Sequence, residues 1–316
     1  MTKLHLSSDT DQDYFWENTI TPLEYRIKKI NSDTFYDMNI LKLLNLANNA
    51  IDTIEPNTFD VLINLEGLYL QFNNLTTVDD QLFKSLTKLN RLDLSDNQIH
   101  LIHDDAFKNL HLLEYLELFN NNLKNISQNL LKSLKKLNWL ELNGNQITEI
   151  HPDAFKNLVE LDVLYLFNNK LSYIDGQVLN SLTKLTHLFL NNNQISKIDD
   201  SAFSSLSTLR ELYLTNNKLT SISASVFYGL KKLRSLNLKL NQIETIHPQA
   251  FSTLSNLEGL YLENNKLIVI DVTIFNKLSK LKVVNLAKNP ITINQPEIMK
   301  SYCTRVQNPL CEIDID

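Results

Sequence analysis

Apolar residues recur along this chain in a frame of fixed length. In segment 185–208, which reads LTHLFLNNNQISKIDDSAFSSLST, the frame holds seven leucine, isoleucine or phenylalanine positions with a fixed asparagine between them. Such a period predicts a repeat architecture, in which each repeat packs only against its neighbours. The opening leucine of the frame recurs at eleven positions, each 24 residues after the last: Leu41, Leu65, Leu89, Leu113, Leu137, Leu161, Leu185, Leu209, Leu233, Leu257 and Leu281.

Each repeat predicts one short strand followed by an inward turn. Leu188 and Leu190 are two residues apart, so both face the same side of an extended strand. One strand cannot bury that side alone, but stacked copies can, and the result is a solenoid with a parallel sheet. The asparagine after each strand offers both a donor and an acceptor to backbone groups at the turn. We therefore predict a structural asparagine ladder: Asn49, Asn73, Asn97, Asn121, Asn145, Asn169, Asn193, Asn217, Asn241, Asn265 and Asn289.

A late aromatic position predicts a second buried stack, on the far side of each repeat from the sheet. Leu131 and Leu179 replace the aromatic residue in two repeats. The residue two places after each ladder asparagine alternates between isoleucine and leucine, which indicates a 48-residue double unit. Duplication of a repeat pair explains this alternation, and even packing of neighbouring layers is compatible with it. The aromatic positions are Phe59, Phe83, Phe107, Phe155, Phe203, Phe227, Phe251 and Phe275.

The frame divides the chain into three parts. Residues 1–40 form a polar N-terminal segment followed by a degenerate capping repeat, and residues 41–294 hold the eleven repeats. Residues 295–316 leave the frame and predict a C-terminal cap with an acidic tail, frayed over Glu312 to Asp316.

The frame resembles that of leucine-rich-repeat proteins of the 24-residue type. This resemblance implies an α/β solenoid, a right-handed horseshoe with a parallel β-sheet on its concave face. The repeats are similar to those of extracellular animal proteins such as Toll-type receptor ectodomains, Slit-like guidance proteins and secreted immune repeat proteins. An extracellular or cell-surface location follows from the resemblance. The chain as written shows no secretory signal at its start, which leaves a cytoplasmic location as the alternative.

Charge and hydropathy restrict the partners. A net charge of −6 and an isoelectric point near 5.7 argue against nucleic acid, because a phosphate-binding surface needs a basic stripe. No stretch approaches the roughly 18 to 20 consecutive apolar residues that a bilayer span requires.

The strand positions that flank the inner leucines predict the ligand-binding surface. Aromatic residues crowd the middle repeats at these positions, while acids crowd the earlier repeats with Arg91 as their single cation. Clustered exposed aromatics are typical of protein interfaces, although exposed strand positions also favour aromatics through β-propensity. The candidate concave-face residues are Tyr69, Phe72, Asp93, Tyr115, Glu117, Phe119, Trp139, Glu141, Tyr165, Phe167, His187, Phe189, Tyr213 and Tyr261.

Catalytic chemistry is not indicated. His103 and His151 occupy equivalent places two repeats apart, or about 10 Å, which is too far for one column of histidines to hold zinc. No Gly-rich phosphate loop and no nucleophile motif accompanies the carboxylates. An open sheet should also exclude water poorly, so we expect burial to shift carboxylate pKa values only weakly. The sequence predicts no enzyme, no metal and no cofactor.

Two cysteines, Cys303 and Cys311, follow the last repeat. A disulfide between them would close a short loop and would suit an oxidising compartment, but the sequence leaves their pairing open.

The interpretation that unites these observations is a non-enzymatic recognition protein with a receptor-like, immune or adhesion role. Its concave face would bind a protein ligand or a glycan. The alternative is an intracellular scaffold or regulatory subunit that docks a partner enzyme.

Overall fold

The computed structural model of the chain describes residues 26–291 and 312–314. Within these residues the chain forms a solenoid around one parallel sheet of twelve short strands, which confirms the predicted fold class. Successive repeats supply successive strands, so sheet order follows chain order. The strands of this main sheet are β2 (Leu43–Asn45), β4 (Gly67–Tyr69), β6 (Arg91–Asp93), β8 (Tyr115–Glu117), β10 (Trp139–Glu141), β12 (Val163–Tyr165), β14 (His187–Phe189), β16 (Glu211–Tyr213), β18 (Ser235–Asn237), β20 (Gly259–Tyr261), β21 (Val283–Asn285) and β22 (Glu312–Asp314).

The 24-residue spacing sets the register of the sheet. In β10 the central Leu140 lies opposite Leu116 on one side and Leu164 on the other. These three side chains are fully buried, as the inner leucines of the frame require. Because the side-chain period of a strand is two, the residues on either side of each central leucine point away from the core.

The last strand corrects one prediction. We expected Glu312 to Asp316 to be frayed, but Glu312–Asp314 form β22 and pair in parallel with β21. An edge strand presents unpaired N–H and C=O groups, and an extended segment can satisfy them whatever its charge. The remainder of the predicted C-terminal cap, with Cys303 and Cys311, lies outside the described residues.

Short strands and turns form the opposite side of the solenoid. The two-residue strands form five pairs. In four of these pairs, the first strand belongs to a repeat with leucine two places after its ladder asparagine, and the second strand belongs to the following repeat, which has isoleucine there. The double unit read from the sequence therefore recurs in the backbone hydrogen bonding. Among the described residues, helix is limited to one 3-10 turn, Val272–Phe275. The paired strands are β1 (Lys29–Ile30) with β3 (Thr53–Ile54), β5 (Thr77–Val78) with β7 (Leu101–Ile102), β9 (Asn125–Ile126) with β11 (Glu149–Ile150), β13 (Tyr173–Ile174) with β15 (Lys197–Ile198), and β17 (Ser221–Ile222) with β19 (Thr245–Ile246).

The late phenylalanines stack in the core behind these turns. Phe59 and Phe83 have ring centroids 6.4 Å apart with nearly parallel planes, and Phe203 and Phe227 are 6.3 Å apart in the same manner. Phe35 extends the stack into the repeat before the first full frame. Leucine at two of the equivalent positions is also buried.

The ladder asparagines tie consecutive repeats together. Asn193 Oδ1 accepts a hydrogen bond from the backbone N–H of Leu171 at 3.0 Å. Its Nδ2 donates to the carbonyl oxygens of Leu166 at 2.9 Å and Leu190 at 3.1 Å. The same three bonds recur at each ladder asparagine from Asn73 to Asn289, so one carboxamide per turn satisfies backbone groups that have no strand partner.

Candidate functional site

The outward side of the main sheet carries the candidate site. In β12, Leu164 is fully buried in the core, while Val163 and Tyr165 point to the other side. Phe167 follows two residues later on that outward side, because Leu166 between them is again buried. We call the outward first and third strand residues, with the residue two places after the third, the sheet face.

Four aromatic side chains, Trp139, Tyr165, Phe189 and Tyr213, lie side by side on the sheet face, and we call them the aromatic stack. Tyr165 and Phe189 have ring centroids 4.5 Å apart and an interplanar angle of 7°. Phe189 and Tyr213 are 5.0 Å apart, and Trp139 lies 5.2 Å from Tyr165 at a tilt of 50°. In-register parallel strands are about 4.8 Å apart, so identical positions in adjacent repeats place the rings of Tyr165, Phe189 and Tyr213 at stacking distance. Trp139 reaches Tyr165 from the first position of the neighbouring strand β10.

Two further rings hold the stack in place. Phe167 meets Tyr165 edge-on at 6.0 Å, and His187 lies parallel to Phe189 at 6.4 Å. The rings of the stack are half-buried, so each keeps part of its surface open. The result is a fixed apolar platform about four strands wide.

Three carboxylates, Asp93, Glu117 and Glu141, occupy the third position of β6, β8 and β10, and we call them the acid column. They are consecutive partners in the sheet register. Asp93 is only 5% exposed and Glu117 only 8%, whereas Glu141 is half-buried. Asp93 Oδ1 accepts hydrogen bonds from the backbone N–H of Ser95 at 2.9 Å and from its hydroxyl at 2.6 Å.

Arg91 is the cation that lies beside the acid column and pairs with Glu117. Its guanidinium donates to the Glu117 carboxylate and lies over the rings of Tyr69 and Tyr115, 5.8 Å and 5.5 Å from their centroids. Among the described residues, the ion pairs include neither Asp93 nor Glu141. Three carboxylates therefore share one close positive charge.

Burial perturbs the acid column, which corrects the expectation of weak pKa shifts. Loss of water raises the pKa of the Glu117 carboxyl to about 7, and the charge of Asp93 adds to the rise while Arg91 opposes it. Burial also raises the pKa values of Asp93 and Glu141. The sheet is open, but neighbouring side chains cover its acids.

Tyr69 shows how this cover arises. It is only 3% exposed, because its ring folds back over Gly67 while Arg91 lies over it. A methyl group on Gly67 would come within 3.3 Å of the Tyr69 ring. Tyr261 repeats the arrangement over Gly259, where the corresponding distance is 3.0 Å. Glycine at the first strand position thus lets the tyrosine lie flat on the sheet.

The remaining predicted residues divide between the face and its edges. Phe119 lies half-buried on the sheet face, in the same position of its repeat as Phe167. Phe72 does not join them: it is 53% exposed and has a positive φ of 56°, at the corner where the chain leaves the strand. Tyr261 is separated from the aromatic stack, since Asn237 stands between it and Tyr213 in the register.

The sequence interpretation missed Asn143. This side chain lies two residues after Glu141 on the sheet face and is only 8% exposed. Its Oδ1 is buried and accepts no hydrogen bond. The alternation of outward residues along β10 extends to position 143 and could have identified it. Lys239 and Glu263, which form an ion pair at 3.2 Å with Glu263 buried, occupy the same position in later repeats.

The histidine column has a local structural role. Nδ1 of His103 accepts a hydrogen bond from the backbone N–H of Asp105 at 3.2 Å. Nδ1 of His151 and Nδ1 of His247 each accept the equivalent bond, from the backbone N–H two residues later in the chain. Residues 26–291 and 312–314 bring together no group of three histidine, cysteine or acidic side chains suited to a metal ion. The same part of the chain contains no helix with the length and apolar character of a membrane span.

Family models identify the repeats. A model described as leucine rich repeat matches residues 25–75, 63–123 and 207–267. A second, described as a BspA type leucine rich repeat region of six copies, matches residues 101–233. A search of curated protein sequences finds no match.

Solved structures share the solenoid. A chain in the Toll–Spatzle complex of Drosophila is 26% identical with a TM-score of 0.79, over 84% of this chain and 37% of that one. A leucine-rich-repeat protein of Leptospira interrogans is 28% identical with a TM-score of 0.66, over 91% of this chain and 76% of that one. A chain in the octameric complex of Latrophilin 3, Unc5D and FLRT2 shares the fold at 24% identity and a TM-score of 0.76, over 87% of this chain and 83% of that one. The present chain thus spans little more than a third of the Drosophila chain that it matches.

Proposed function

Because the chain belongs to the leucine-rich-repeat family, we propose that its sheet face binds a protein partner and catalyses no reaction. The aromatic stack is the observation that carries this proposal. Large half-exposed rings held rigid by their neighbours lose little conformational freedom on binding, and tyrosine and tryptophan dominate the binding energy of protein interfaces.

Dimensions and comparisons support a protein partner over a small ligand. Twelve strands about 4.8 Å apart extend the face over roughly 50 Å, which suits a protein-sized footprint. The Drosophila chain with the same fold comes from a complex between two proteins. An open sheet is also a poor setting for chemistry that must exclude water.

The test is capture with the intact chain as bait. Tyr165→Ala, Phe189→Ala and Tyr213→Ala together should weaken partner binding by about 4 kcal/mol, or roughly a thousandfold in Kd. The matched control removes three exposed apolar side chains elsewhere, Tyr36→Ala, Tyr228→Ala and Val269→Ala. Proteins retained by the wild type and the control but lost from the aromatic variant support the proposal. Retention by the aromatic variant would mean that the partner binds another surface.

We also propose that the partner is met outside the cell or at its surface. The resemblance of the repeats to those of extracellular animal proteins supports this location. Capture from extracellular fluid and from cytosol, run in parallel, separates it from the intracellular scaffold. A bridge between Cys303 and Cys311 found by thiol mapping of the native protein would agree with the extracellular location, and free thiols would oppose it. Enzymatic deglycosylation of the captured material distinguishes a protein epitope from a glycan.

A further inference from the structure

The chain contains its own example of how the sheet face holds a guanidinium. Arg91 donates to the Glu117 carboxylate and lies over the rings of Tyr69 and Tyr115. Tyr115 stands two residues before Glu117 on β8, and Tyr69 lies on β4, on the other side of the Arg91 strand β6. A carboxylate and two aromatic faces together satisfy both the charge and the planar surface of a guanidinium.

The same kinds of group meet again around Glu141. Trp139 stands two residues before it on β10, and Tyr165 lies opposite it in the adjacent strand β12. The indole N–H of Trp139 donates to Glu141 Oε1 at 2.6 Å, which fixes the carboxylate beside the rings. Among the described residues, no side chain donates to Oε2 and no lysine or arginine pairs with Glu141.

Asn143 independently indicates that a hydrogen-bond donor is missing beside Glu141. Its Oδ1 is buried without a hydrogen-bond partner, next to Glu141 on the same outward side of the strand. A buried acceptor left unsatisfied costs about 1–3 kcal/mol, so a ligand that brings N–H groups to it recovers that free energy. The charges agree: Asp93, Glu117 and Glu141 face one Arg91, which leaves two negative charges uncompensated when all four are ionised.

We propose that Glu141, Asn143 and the rings of Trp139 and Tyr165 bind an arginine side chain of the partner protein. The inference rests on the proposed function and names the chemistry of the partner at one point of the face. Arginine fits better than lysine because its planar fork can reach a carboxylate and an amide oxygen together while its flat face covers a ring. The aromatic stack then extends from this anchor toward Tyr213 and receives the apolar residues beside the arginine.

A peptide probe tests the anchor directly. The full chain carries two tryptophans, so a Trp16→Phe background leaves Trp139 as the single tryptophan, which is excited selectively over the tyrosines. The probe is acetyl-(Gly-Arg)4-amide, with lysine and citrulline versions of the same length, titrated at pH 7.5 and low salt. We expect saturable change of Trp139 emission with the arginine peptide, weaker binding of the lysine peptide, and no saturation with citrulline.

Charge-matched variants separate a defined anchor from general attraction. Glu141→Gln should raise the Kd of the arginine peptide at least tenfold, as expected for loss of a charged hydrogen bond. Glu149→Gln removes the same charge from an exposed position of the same repeat, on the opposite side, and should leave Kd within about twofold. Tyr165→Leu keeps apolar bulk without a π face and should weaken arginine binding as well. Circular dichroism verifies that each variant is folded.

Two results would overturn the inference: equal affinity for the arginine and citrulline peptides, or equal weakening by Glu141→Gln and Glu149→Gln. If either occurs while the aromatic triple variant still loses its captured partner, only the arginine anchor fails. If capture proves independent of the aromatic stack, the proposed function fails first.

Discussion

Replacement of one ladder asparagine by leucine should destabilise the solenoid far more than its small change in volume suggests. Asn193→Leu removes the only acceptor bonded to the N–H of Leu171 in the described structure. Asn193 Nδ2 donates to three carbonyl oxygens, those of Leu166, Leu190 and Asn191, and each retains a second donor. Leu166 O also accepts from Asn169 Nδ2 at 3.1 Å, Leu190 O from Asn217 Nδ2 at 3.0 Å, and Asn191 O from the backbone N–H of Asn168 at 3.0 Å. One buried amide is therefore left unpaired, and three carbonyls lose part of their bonding.

The expected cost follows from these bonds. An unpaired buried amide costs about 1–3 kcal/mol, and the weakened carbonyls add up to about 1 kcal/mol. We expect Asn193→Leu to lower the free energy of unfolding by about 3 kcal/mol. The loss should be local, because each repeat contacts only its neighbours.

Urea unfolding followed by circular dichroism measures the change, and hydrogen exchange at the Leu171 amide locates it. The matched control is Gln194→Leu, which replaces an exposed carboxamide in the next position and should cost less than about 0.5 kcal/mol. Equal midpoints for the two variants, with unchanged exchange at Leu171, would refute the assigned role of the ladder.

Two further predictions concern the acid column and the packing of the turns. The folded state keeps the Glu117 proton up to a pKa of about 7, while the unfolded chain releases it near 4.5, so the free energy of unfolding should fall as pH rises between these values. Glu117 contributes at most about 1.4 kcal/mol per pH unit to the slope of the free energy of unfolding against pH, and Glu117→Gln should flatten that slope. The measurement is the urea midpoint of both proteins from pH 5 to 8. The same dependence on pH in the two proteins would contradict the burial of this charge. Gly229→Ala places a methyl group 2.4 Å from the carbonyl oxygens of Phe203 and Ser204, so it should cost about 2 kcal/mol or more. Gly176→Ala meets side-chain atoms of Ser201 and Asp199 instead of backbone, so it should lower the melting temperature less. Similar losses in the two variants would show that the backbone yields easily at Gly229.

The sequence by itself determined the core and the ladder. A constant spacing of 24 residues brings each repeat into register with the next, so any position that is apolar in every repeat becomes a buried column. Leu164 and Asn193 could be assigned for this reason, since their partners are copies of their own frame. The pairing of β22 with β21 did not follow, because the tail is outside the frame and its pairing depends only on an available strand edge.

The tertiary structure alone decided which sheet-face residues are open. Tyr69 and Tyr165 hold the same position in their repeats, yet one is buried and the other half-exposed. The difference lies in what stands beside each: Gly67 lets the Tyr69 ring lie flat, and Arg91 covers it. The pKa of Glu117 rises for a similar reason, because side chains of adjacent repeats bury its carboxylate. Exposure on this face is set by the varying residues of neighbouring repeats, and the repeat pattern carries no information about them.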